Sequence, residues 1–159
     1  MDMLEMRKKA ECGSVAAQSI LGVSYLYGLD AEANYPEALR LLRAASDGGA
    51  SRAVVNLARM HAEGIGVRRD VAEAVHLYEA VAKVEFFAAL SLGRIYSNGM
   101  GVAADQNVAR GWYSLALGWK DSASDSAIPE QIAWATGLPR EADIQEAETF
   151  LSRSAAEGK

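Results

Sequence analysis

The sequence predicts an all-α fold, a right-handed α-solenoid of stacked antiparallel helix pairs. Three observations predict it. Gly28, Gly64 and Gly99 lie 36 and 35 residues apart, and small and aromatic residues around them repeat at the same spacing. The segments leading into each glycine carry apolar residues at three and four, the period of a helix face. Each glycine is followed, after a short loop, by Asn34, Asp70 or Asp105, residue types whose side chains cap helix starts.

The elements follow in order. Residues 1–14 are expected to form an N-terminal capping helix, with KKAECGS (8–14) as the tail of its turn. Three repeats come next, at about 15–50, 51–85 and 86–121, and residues 122–159 hold a degenerate fourth repeat and a C-terminal cap, all within one domain. The first helices are AAQSILGVSYLYG, RAVVNLARMHAEG and FAALSLGRIYSNG. Their closing glycines suit the left-handed conformation that ends a helix. The second helices start at Asn34, Asp70, Asp105 and Asp143, and Glu37, Glu73 and Glu146 stand three residues on, the spacing of a capping box. Pro36 falls in a first turn, where its missing N–H does no harm. Ala17, Gly22 and Ala38 return as Ala53, Ala58 and Ala74, then as Ala88, Gly93 and Ala109. Side chains this small let paired helices approach to ~8 Å. Tyr25, Tyr78, Tyr96, Trp112 and Tyr113 fill the space between neighbouring units. In the C-terminal part, Ser- and Asp-rich residues after Lys120 read as an insertion, with Pro129 opening a short helix and residues 143–157 closing the chain as a more polar one.

The paired glycines in GIGVRRDVAEAVHLY (64–78) and GMGVAADQNVARGWY (99–113) are a helix joint used twice, not a phosphate loop. They follow no strand, no third glycine completes the dinucleotide pattern, and no Lys-Ser/Thr follows. Composition narrows the function classes further. Half of the 159 residues are hydrophobic and 23% are charged, enough for a core and too apolar for a disordered chain. Sixteen Lys and Arg against 21 Asp and Glu give a net charge of −5, which argues against nucleic acid. The single Cys12 can form neither an internal disulfide nor a Cys-based zinc site. No apolar run approaches the ~18 residues of a membrane span. The N-terminus lacks the apolar core of a signal peptide. A cytoplasmic protein without cofactor or metal is expected.

The third repeat reads Ala88-x3-Leu92-Gly93-x2-Tyr96-x2-Gly99-x-Gly101-Val102-x2-Asp105-x3-Ala109-x2-Trp112-Tyr113. It resembles the Sel1-like repeat, a relative of the tetratricopeptide repeat. The second repeat keeps most of the pattern, with Ala58 and His61 as departures; the first has Leu29-Asp30-Ala31 where the Gly-x-Gly-Val should continue; the fourth carries Leu138-Pro139 instead. The resemblance covers residues 8–158. It implies a non-enzymatic protein–protein interaction module whose first helices line a concave binding wall. The alternative is a small inhibitor or immunity-type protein that neutralises a single toxin or enzyme.

By analogy with tetratricopeptide units, Arg59 and Arg94 occupy equivalent slots on that wall, and Arg52 lies two turns before Arg59. Such a ladder would grip an acidic segment, because guanidinium meets carboxylate in a two-point fork. Local pairing with Glu63 and Asn98, four residues after each arginine, is the competing reading. Ser19, Val23, Leu26, Tyr27, Val55, Phe87, Leu90 and Ser97 are expected on the same wall, with Tyr27 an aromatic anchor for the protein or peptide partner and Phe87 favoured as packing. His61 takes the Tyr slot and reads as core, His76 as exposed, and two histidines on different helices do not make a metal site. Asp70 and Glu73 are explained by capping. Cys12, beside Lys8 and Lys9, is either a reactive thiol or a plain surface one. Trp119 and Trp134 lie outside the repeat slots; they either pack the insertion or form an exposed aromatic patch. Oligomeric state and partner identity are not encoded in any of these features.

Overall fold

The computed structural model describes residues 2–158; Met1 and Lys159, the ends of the expected caps, lie outside the described residues. Among the described residues nine α-helices follow one another: α1 (Met3–Glu11), α2 (Val15–Tyr27), α3 (Tyr35–Asp47), α4 (Ser51–Glu63), α5 (Val71–Val81), α6 (Phe86–Asn98), α7 (Gln106–Ala116), α8 (Glu130–Thr136) and α9 (Glu141–Glu157). A 3-10 turn spans Leu117–Ser122. The chain divides between Leu77 and Tyr78 into two compact units.

The helix joints are built the same way three times. Gly28, Gly64 and Gly99 have φ of 66°, 69° and 66°, and their N–H groups bond Ser24, Met60 and Ile95 carbonyls. The next residue's N–H returns to the same carbonyl, at 2.9 Å from Leu29, 2.9 Å from Ile65 and 3.0 Å from Met100. These bonds satisfy helix-end acceptors that would otherwise be orphaned. A third bond closes the hairpin. The N–H groups of Asn34, Asp70 and Asp105 each donate at 2.9 Å to the carbonyls of Tyr25, His61 and Tyr96, nine residues back in the preceding helix.

The N-cap side chains of the second helices act as expected. Asn34 Oδ1 accepts from the Glu37 N–H, Asp70 Oδ1 from that of Glu73, and Asp105 Oδ1 from those of Asn107 and Val108. The reciprocal half of the capping box is absent, because the capping residue's own N–H is spent on the neighbouring helix. Glu37 turns instead to Arg40, one turn on, in a two-point pair. The fourth copy departs from expectation. Asp143 is not an N-cap: α9 starts at Glu141 behind Arg140, and Asp143 sits in the first turn, accepting the Arg140 N–H at 3.0 Å and its guanidinium at 2.9 and 3.0 Å. Pro139 places the chain just before that clasp, so the helix begins earlier than the aligned aspartate.

In the first unit α2 packs on both α1 and α3, and α3 on α4. A Cβ placed on Gly22 would stand 2.7 Å from Leu42 Cγ and 3.2 Å from the Leu42 amide. In the second unit α6 packs on α7 and α7 on α9. There a Cβ on Gly93 would stand 3.0 Å from the Tyr113 ring. The two glycines hold equivalent slots and face partners 20 residues further on in both copies. The insertion packs inward. Buried Trp134 stacks on Phe87 with centroids 4.6 Å apart, and Trp119 meets Phe86 edge-on at 6.1 Å. Its connection is tied by Ser124, whose N–H donates to Pro139 O and whose carbonyl accepts from Glu141, both at 2.8 Å.

Two substitutions of the same kind separate close approach from open helix. Gly22→Ala is expected to destabilise by about 1–3 kcal/mol through overpacking against Leu42. Gly111→Ala, on α7 with nothing within 4 Å of the added carbon, is expected to stabilise by about 0.5–1 kcal/mol. Urea unfolding followed by circular dichroism reads both.

The Arg40 hydrogen bonds, outweighing partial burial, hold the Glu37 carboxyl below its ordinary value of 4.5. A carboxyl depressed in the folded state stabilises above its unfolded pKa, and that contribution fades as pH falls through the folded value. An NMR titration is expected to give Glu37 a midpoint below 4.5, rising toward it in Arg40→Ala.

Candidate functional site

The expected wall residues separate into two groups. Ser19, Val23, Leu26, Val55 and Leu90 are buried, a correction to their expected place on the wall, whereas Phe87 is buried as the packing reading expects. Apolar residues on the first helices close the cores of their units, which a repeat alignment does not distinguish from a lining role. Tyr27 and Ser97 are half-buried, and Asn98 is exposed.

In the first unit Tyr27, Arg52, Asn56, Arg59 and Glu63 come together. Asn56 is fully buried in α4. Its Nδ2 donates to the Arg52 carbonyl at 2.8 Å, and its Oδ1 accepts from the Tyr27 hydroxyl of α2. The Arg59 guanidinium lies 5.6 Å from the centre of the Tyr27 ring, and its Nη1 donates to the Tyr27 oxygen at 3.4 Å. Arg59 Nε donates to Glu63 Oε2 at 3.1 Å. Arg59 is thus a largely covered cation, its side chain 13% exposed, while Glu63 is 51% exposed. The pair expected between Arg59 and Glu63 is present. Sequence spacing does not single out Asn56, although this buried amide organises the group; a polar residue amid the apolar run VVNLA is its only signal.

In the second unit the equivalent arginine has a different acceptor. Arg94 Nε donates to both Glu146 oxygens at 3.0 Å and Nη2 to Oε2 at 2.6 Å, with Asp143 Oδ1 4.0 Å away. Both carboxylates belong to α9. Burial opposes the Arg94 charge, but the Glu146 hydrogen bonds and the two negative charges outweigh it and hold Arg94 above arginine's ordinary range. Asn98 does not touch the guanidinium; its Nδ2 donates to the Arg94 backbone carbonyl at 3.0 Å. Glu146, expected in a capping box, is the chief partner of Arg94 instead, because α9 starts too early for it to reach an N-cap.

His76 and Cys12 are exposed, and His61 is half-buried. His61 lines a cleft of about 560 Å³ in the first unit with Arg43, Val67, Arg68, Arg69 and Asp70. No group of three or more His, Cys, Asp or Glu among the described residues could hold a metal ion. No helix among them is long and apolar enough to cross a membrane.

Comparison with known proteins places this arrangement. The Sel1 repeat family model matches residues 15–49, 51–83, 87–117 and 132–159. A Sel1 repeat protein from Oxalobacter formigenes, known from a crystal structure, is 40% identical, with 74% of this chain and 89% of that one covered and a TM-score of 0.60. A protective antigen present in uropathogenic Escherichia coli strains, displaying an SLR fold, is 29% identical with a TM-score of 0.67; the match takes in 97% of this chain and 33% of the antigen. No curated protein sequence matches. The all-α helical-repeat solenoid class is therefore that of the Sel1 proteins, which generally act as protein–protein interaction scaffolds rather than catalysts.

The Arg94–Glu146 contact can be weighed directly. A double-mutant cycle with Arg94→Ala and Glu146→Ala, read by urea unfolding, is expected to give a coupling of about 0.5–1.5 kcal/mol. That is above an ordinary surface pair because the fork is two-pointed, and below a buried one because both groups remain partly solvated.

Proposed function

We propose a non-enzymatic protein-binding role for this chain, which belongs to the Sel1 repeat family. In this reading a partner protein lays an acidic segment along the first-helix face, the concave side of the repeat, where Tyr27, Arg52, Arg59 and Glu63 meet. The observation that carries the reading is the Glu146 carboxylate forked on Arg94. It is a worked instance of what this arginine slot accepts: a carboxylate presented by another helix. One repeat earlier, Arg59 pairs with the exposed Glu63 of its own helix. Such a pair, four residues apart in a helix, contributes about 0.3–0.5 kcal/mol, so an incoming carboxylate displaces it at little cost. The Tyr27 ring beside the guanidinium adds flat apolar area, and the buried Asn56 holds that ring in place. In the third repeat Arg94 and Asn98 complete the equivalent slot, which the chain fills for itself. We place the activity in the cytoplasm, where the exposed thiol of Cys12 stays reduced.

Affinity capture from lysate of the source cells tests this. The native chain is expected to retain a partner that Arg59→Glu loses, with circular dichroism unchanged. Retention of the same partner by Arg59→Glu would remove this face from consideration. One partner held in equal stoichiometry indicates an inhibitor-type binder, and several indicate an adaptor.

A further inference from the structure

The cleft around His61 uses none of the residues of the proposed peptide face. Arg43 comes from α3, His61 from α4, and Val67, Arg68, Arg69 and Asp70 from the loop leading to α5. In a chain of net charge −5 this places three guanidinium groups and an imidazole around one opening with a single acid. That acid is already engaged, since Asp70 Oδ1 accepts the Glu73 N–H. Arg43 and Arg68 make no hydrogen bond or ion pair among the described residues. Arg69 is anchored by Nε to the Ala62 carbonyl at 3.0 Å, which holds its side chain along the rim. His61 Nδ1 is buried with no hydrogen-bond partner, an expense that a satisfied core side chain would not carry.

The loop that carries these groups is fixed. Asp70 N–H and Ile65 N–H both return to α4 carbonyls at 2.9 Å, and Gly66 is pressed so close to Tyr35 that an added Cβ would stand 2.6 Å from it. The other repeats supply an internal control. The slots of His61, Arg68 and Arg69 hold Tyr25, Glu32 and Ala33 in the first repeat and Tyr96, Ala103 and Ala104 in the third. The slot of Arg43 holds Glu79 and Ser114. The hairpin forms with alanine or glutamate at these positions, so the fold does not require the basic set.

We propose that this cleft binds a phosphate monoester. Three guanidinium charges against Asp70 leave a local charge near +2, which matches a phosphate monoester's −1.5 to about −2 at neutral pH and exceeds what one carboxylate neutralises. Guanidinium forks suit the several oxygens of a tetrahedral anion. The ester is borne either by a phosphorylated partner segment or by a free small molecule.

The test is an amide NMR titration of the ¹⁵N-labelled full chain at constant ionic strength. Its probes are inorganic phosphate, a peptide with one phosphoserine, and the same peptide with serine or aspartate there. Saturable shifts in residues 61–70 with phosphate are expected, and Arg43→Ala/Arg68→Ala should weaken them more than about tenfold. Tighter binding of the phosphopeptide than of phosphate assigns a protein source; equal binding assigns a small molecule. Both exchanged arginines are exposed, so the fold should persist; if the double variant unfolds, each single variant decides by its own loss. Absence of saturable shifts, undiminished binding by the variants, or an aspartate peptide binding as tightly as the phosphopeptide would overturn the proposal.

Discussion

One backbone hydrogen bond governs the architecture. In each of the first three repeats the N–H that opens the second helix donates to a carbonyl nine residues back, in the last turns of the first helix. A left-handed glycine at the joint makes this reach possible, because the chain must reverse within a few residues after its helix ends. The bond sets the separation of the two helices, and that separation sets which side chains fit between them. Gly22 and Gly93 are then required by Leu42 and Tyr113, which stand where a Cβ would go. The same bond consumes the N–H that a full capping box needs, so Glu37 is released to pair with Arg40.

Because the constraint is made of backbone, it tolerates variety in the side chain that carries it. The accepting carbonyl belongs to tyrosine in two repeats and to histidine in the other. His61 therefore holds the joint as well as Tyr25 and Tyr96 do, and its imidazole is left for other work. The loop positions behave alike. Arg69 stands beside Gly64 as Ala33 stands beside Gly28 and Ala104 beside Gly99, and all three joints keep the same geometry.

Legibility in the sequence follows from the range of each interaction. The hairpins were readable because period, cap and joint all lie within nine or ten residues of one another. The inward packing of Trp134 onto Phe87 was not, since nothing local relates residues 47 apart. The bond from Arg94 to Glu146 spans 52 residues, and a repeat alignment pointed Glu146 to a cap instead. Val23, Leu26, Val55 and Leu90 were misread as lining for a related reason: helical period shows that residues share a face, not whether another helix covers it. The basic cleft was split in the same way, with Arg43 in one repeat and Arg68-Arg69 in the next.

The two equivalent arginines show how one slot serves two ends. Arg94 lies beneath α9, and the carboxylate it holds belongs to the chain itself. There the slot works as a structural fastener, reinforced by Arg110 of α7, which donates to Ser154 of α9 at 2.6 and 2.9 Å. Arg59 pairs with a carboxylate four residues along its own helix, α4. The Glu63 that pairs with Arg59 faces solvent, so water weakens that contact. The scaffold keeps backbone and small side chains constant and lets the residues on its surface differ from copy to copy. Chemistry particular to this chain is therefore to be sought where the copies disagree.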